Sequence, residues 1–140
     1  MPAHPTRPPP VLVIAAFLFA ATLIAVVAGT TLIFPSRFSD WLWELNRPAR
    51  TMLRPLGSAL GAVLIALGVG TALTGMGLWR GRRWAWWLAV LLFTVNGCGE
   101  IVSFFMIRDF VRSGSGLAIA AVFLFYLNRA NVRRFFAAAE

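Results

Sequence analysis

Apolar residues in this chain gather in long uninterrupted runs, not in the one-sided stripe of a surface helix or the alternation of a half-buried strand. The first run, residues 11–34, carries no charge and stops at Pro35. As a helix it spans about 36 Å, more than the roughly 30 Å hydrocarbon core of a bilayer. A signal-peptide core has only about 7–15 residues, so the run is read as a retained membrane span. Two runs of similar length follow at 56–79 and 84–107. A fourth span, 113–129, is the weakest: its unbroken apolar part covers only 117–127. Counting residues 113–116 brings it to roughly 22 Å, and Arg129 must snorkel to lengthen it.

The segments between the runs predict the rest of the architecture. Residues 1–10 form a Pro-rich tail, extended because proline lacks an N–H and fixes φ. In residues 36–50, Ser39 is placed to cap a helix starting at Asp40. Trp41, Leu42 and Leu45 then lie on one side, and Asp40, Glu44 and Arg47 toward the other. That pattern suits a short helix in the membrane interface, with an irregular loop as the alternative. The connection 108–116, with its Ser-Gly-Ser-Gly stretch, reads as a flexible loop. Residues 130–140 read as a basic amphipathic end with Phe135 and Phe136 at its surface. The expected fold is all-α: an integral membrane four-helix bundle with a short interfacial helix between spans one and two.

Small residues recur on particular helical faces. Ala21, Ala25 and Gly29 are spaced by four in span one. In span two Gly57 and Gly61 form a GxxxG pair, and Gly61, Gly68 and Gly75 recur every seven residues with Ala72 beside them. In lipid such residues let helix backbones approach closely. The span-two face is read either as packing within the bundle or as a homodimer face.

Charge changes the picture in one respect. The net charge is +8, all 13 basic residues are arginines, and they lie between the apolar runs. Placed so, they are membrane-flanking anchors and not a nucleic-acid surface. Trp41 and Trp43 stand at one end of span two. Trp79, Trp84, Trp86 and Trp87 stand at the other, around Arg80, Arg82 and Arg83. This matches an aromatic belt at each face of a bilayer. With the N-terminus inside, the cytoplasmic segments hold seven arginines (Arg7, Arg80, Arg82, Arg83, Arg129, Arg133, Arg134) and the outer segments six. We read both termini as cytoplasmic in a bacterial inner membrane. Overall composition agrees, at 59% apolar and 13% charged residues, against about 45–50% and 25% in soluble domains.

Candidate chemistry is sparse. Glu100 is the single acidic residue inside a predicted span, and Asn96, Ser103 and Ile107 share its face. An intramembrane carboxyl is costly and faces the bundle interior or water. Glu100 is read either as a proton-coupling group, with Asn96 beside it, or as an interhelical clamp. His4, the one histidine, lies in the tail, and Cys98, the one cysteine, is expected to be a buried and inert thiol. These residues supply neither a haem ligand in a span nor a zinc site of the usual His/Cys type. No nucleophile motif, phosphate loop or paired carboxylates appear, so neither enzyme activity nor a cofactor or metal is expected.

The stretch GMGLWRGRRWAWWLAVLL at 75–92, then Glu100, then LAIAAVFLFYLNR at 117–129 resembles a bacterial family of predicted small integral membrane proteins of unknown function. In that family a GLWRGRRWA-like turn joins two spans, an acid follows in the next span, and a final span ends in a YL-x-R-like motif. The likeness covers about half of the chain, residues 68–134. It implies the four-span fold and no chemistry. The expected function is therefore that of a non-catalytic packing protein, an accessory or structural subunit of a larger membrane complex. Its expected partners are membrane lipids and either other membrane-protein subunits or a second copy. The alternative is a small dimeric proton-coupled transporter using Glu100.

Overall fold

The structure, a computed structural model, describes residues 8–45, 47–107 and 110–138, with the side chains of Ser103, Met106, Ile107, Phe110, Arg112 and Ser113 among those outside the description. Most of the Pro-rich tail, with His4, and residues Arg108 and Asp109 also lie outside it. Among the described residues every regular element is helical: α1 (Pro9–Ile33), α2 (Arg37–Glu44), α3 (Arg47–Leu53), a 3-10 turn at Arg54–Leu56, α4 (Gly57–Trp79), α5 (Arg83–Ile107), α6 (Phe110–Asn128) and α7 (Ala130–Ala137). Three segments are long and apolar enough to cross a membrane, Pro9–Ile33, Arg54–Trp79 and Arg83–Val102. The count rises to four if the pair Gly114–Asn128 and Ala130–Ala137, bent by 59°, is taken as one span. The chain forms two compact units, Phe17–Leu73 in one, Met1–Ala16 with Thr74–Glu140 in the other.

In the unit Phe17–Leu73, α1 and α4 run antiparallel and touch backbone to backbone. A Cβ added at Gly61 would lie 2.7 Å from the Gly29 carbonyl oxygen, and one at Gly29 would lie 2.6 Å from the Gly61 carbonyl oxygen. About two turns on, Gly68 faces Ala25 and Val26, and the Thr22 hydroxyl donates to the Gly68 carbonyl at 3.2 Å. The expected GxxxG pair is corrected at one member. Gly57 has nothing near its Cβ position and takes φ +57, so it serves the turn into α4 and not the helix contact.

Residues 36–50 hold the ends of two short helices where one is expected. Pro48 brings no N–H with which to extend α2, and a second helix forms around it. The cap is also three residues earlier than expected. Ser36, not Ser39, is the N-cap, and Ser39 closes a reciprocal capping box with it. Asp40 and Glu44 sit one turn apart on α2 and bind α3 and the 3-10 turn. Glu44 pairs with Arg47 at 3.0 Å and Arg50 at 2.6 Å, while Asp40 takes Arg54 and the far side of Arg50. These pairs are solvent-accessible, so each contributes under about 1 kcal/mol.

In the other unit, α5 and α6 are antiparallel. Phe93 meets Phe123 edge to face at 5.1 Å, Gly97 faces Ala120, and Gly116 faces Glu100. Trp86 donates its Nε1–H to the Leu127 carbonyl at 2.9 Å. The turn from α4 into α5 closes as a Schellman motif. Arg82 N–H bonds to the Gly77 carbonyl and Gly81 N–H to the Leu78 carbonyl, with Gly81 at φ +73. A Cβ at Gly77 would overlap that of Ala85, so only glycine admits this close return.

Two expectations for the C-terminal half are overturned. Residues 113–116, counted both in the loop 108–116 and in span four, are helical within α6, so the loop reading falls and the span-four reading keeps them. Phe136 is 1% exposed and Phe135 packs its ring at 3.3 Å from the Cβ position of Gly81, so neither is a surface residue. The chain bends at Arg129 (φ −61, ψ 141), and burial of Val132 and Phe136 rewards the bend.

Candidate functional site

Glu100, the residue singled out for chemistry, projects from α5 against α6. Its carboxyl carbon and Oε1 lie 2.7 Å from where a Cβ of Gly116 would stand. The carboxyl group therefore lies over Gly116, in space that a side chain there would make it vacate by turning aside. Glu100 is half-buried, while Asn96 one turn earlier is exposed. Ser103, the third member of that face, has its side chain outside the description. Among the described residues no hydrogen bond or ion pair reaches Glu100, and its nearest described neighbour on α6 is Gly116. The partner position was hidden in the sequence because Ser-Gly-Ser-Gly reads as a loop. A glycine set opposite an intrahelical acid in the antiparallel register is the signal that finds it.

Other predicted positions divide between packing and exposure. Gly29, Gly61, Gly68 and Gly75 are buried, and Ala21, Ala25 and Ala72 are half-buried. Of the predicted anchors, Trp41, Trp79, Trp84 and Trp87 are exposed, as are Arg80, Arg82 and Arg83. Trp43 is only 8% exposed and so packs instead of anchoring. Trp86 is half-buried and held by its bond to Leu127. Cys98 is exposed, against the expectation of burial. On a helix that is apolar around its whole circumference, position in an apolar run does not indicate which side faces a neighbour.

Two cavities open in the unit that holds α5–α7. One, about 310 Å³, is lined by Pro9, Pro10, Val13, Ile14, Phe123 and Tyr126 and is apolar. The other, about 390 Å³, lies where α7 folds back on the start of α5. Arg83, Trp86 and Trp87 line it from α5, and Ala130, Arg133 and Arg134 from α7. Arg129, at the bend, holds its guanidinium 5.9 Å from the Tyr126 ring centre, within cation–π range.

Comparison with protein-family models, with curated proteins and with solved structures finds no match.

Proposed function

We propose that the protein is a non-catalytic integral membrane protein that acts by helix packing, as an accessory or structural subunit of a larger membrane complex. In this reading four spans form a bundle, residues 36–50 lie at the interface, and both termini are cytoplasmic. One observation carries it. After α1 has taken up the Gly61 and Gly68 face of α4, a second row of small residues on α4 stays exposed: Ser58, Ala62, Ala66 and Gly70. A Cβ at Gly70 would meet nothing within 4 Å. Rows of small residues spaced by four are how helices approach one another in lipid.

The test is native mass spectrometry of the chain extracted from its own membrane in mild detergent. Wild type should emerge with defined larger membrane proteins. Ala66→Leu, which fills the row, should lose them without loss of its own fold. A chain that emerges alone or only as a homodimer sinks the proposal.

A second reading, a small dimeric proton-coupled transporter, draws on the half-buried Glu100 with no described cation beside it. Glu100→Gln decides between the two. The packing reading expects equal co-purification for wild type and variant, and no proton flux into liposomes from either. Flux in wild type that disappears in Glu100→Gln, with assembly intact, moves the function to transport.

A further inference from the structure

The cavity between α5 and α7 combines features that no single stretch of sequence contains. Arg83 is the first residue of α5 and Ala130 the first of α7, and both line it. Two helix N-termini therefore meet one space. The first-turn N–H groups of a helix carry the positive end of the helix dipole, although in α5 the Ala85 N–H is already taken by the Arg82 carbonyl at 3.1 Å. The α7 cap residue, Arg129, makes no side-chain hydrogen bond to them. Neither helix has an acid in its first turn.

The side chains add charge of the same sign. Arg133 and Arg134 stand beside Arg83 on the cavity wall. Among the described residues no carboxylate pairs with Arg133 or Arg134, since the ion pairs gather on Asp40 and Glu44 in the other unit. The remaining wall is aromatic. The Trp86 indole is fixed by its bond to Leu127, so it contributes a face and not a donor. Phe136, 1% exposed, holds α7 in place beneath.

Guanidinium groups match phosphate oxygens two at a time, and tryptophans favour headgroup depth. A phosphate on the arginines would leave the glycerol and ester region of a lipid along the indoles. Basic pockets between membrane helices bind anionic headgroups by this division of labour. We infer that the cavity binds a phosphate group, presented by an anionic phospholipid headgroup. The inference needs the chain to lie in a membrane but does not depend on which proteins it packs against.

Native mass spectrometry of the full chain in neutral detergent tests it, with phosphatidylglycerol, phosphatidylcholine and inorganic phosphate as probes. One phosphatidylglycerol per chain should be retained in preference to phosphatidylcholine. The double variant R133Q/R134Q should weaken that retention by about tenfold or more, as the loss of a charge-assisted hydrogen bond requires. Ala130→Leu fills the cavity without changing charge and should weaken it comparably. R37Q/R47Q removes the same charge elsewhere and should retain the lipid. Equal weakening in both double variants would mean diffuse surface charge and would overturn the site. Full retention in Ala130→Leu would overturn it as well. If inorganic phosphate alone displaces the lipid completely and is itself retained one to one, free phosphate is the ligand and the lipid assignment falls.

Discussion

Gly61→Leu is expected to destabilise the chain by about 3 kcal/mol, the upper end of what overpacking usually costs. The reason is the absence of any room at the α1–α4 crossing. Even the first carbon of a side chain would stand 2.7 Å from the Gly29 carbonyl oxygen and 2.7 Å from Ile33 Cγ1. The carbonyl belongs to the backbone and cannot turn aside, so the two helices must separate and lose the contacts on either side. Gly70→Leu on the same helix is the matched control. Its Cβ meets nothing within 4 Å, and leaving glycine favours a helix by up to about 1 kcal/mol. Unfolding both variants in a mild detergent titrated with a denaturing one reads the difference. Equal midpoints would show that the Gly29–Gly61 approach does not hold the pair together.

Phe136→Ala is expected to release α7. A fully buried phenylalanine cut to alanine costs about 3–5 kcal/mol in well-packed cores, and α7 has little else to hold it. Val132 is its other buried residue, and Phe135 adds a partial contact with Gly81. The helix has only eight residues, too few to persist on its own. Amide exchange should therefore lose protection across Ala130–Ala137 while α5 and α6 stay protected. The exposed Phe125 supplies the control, since Phe125→Ala should leave exchange unchanged. Protection that survives Phe136→Ala would mean that α7 is held by something other than this side chain. The same variant should weaken lipid retention, because the cavity has no second wall once α7 lifts away.

How much of this was legible depends on the physical signal involved. The helices at 11–34, 56–79 and 84–107 were readable to within a residue or two at most ends, because an uncharged run of that length has few other stable outcomes. The close packing at Gly29, Gly61 and Gly68 was readable as a kind of contact, through small residues at helical spacing. Which of those glycines packs was not. Gly57 fits the spacing and yet serves a turn, because φ is a property of position and not of residue type. Cys98 went wrong for a related reason. In a helix apolar on all sides, the pattern carries no label for the face that meets a neighbour.

The candidate sites divide along the same line. Glu100 was legible as the single acid in a span, because its cost in an apolar medium singles it out. Its seat against Gly116 was not, since that required α6 to run in one particular antiparallel register. The cavity of Arg83, Arg133 and Arg134 lies furthest from what sequence reveals. Its two halves are some fifty residues apart, and only the bend at Arg129 brings them together. By itself the sequence determined the all-helical class, the three long apolar segments and the residues too costly or too small to be placed at random. The tertiary structure alone decided which faces meet, because helix pairing depends on shape at the contact, and shape is set by both partners at once.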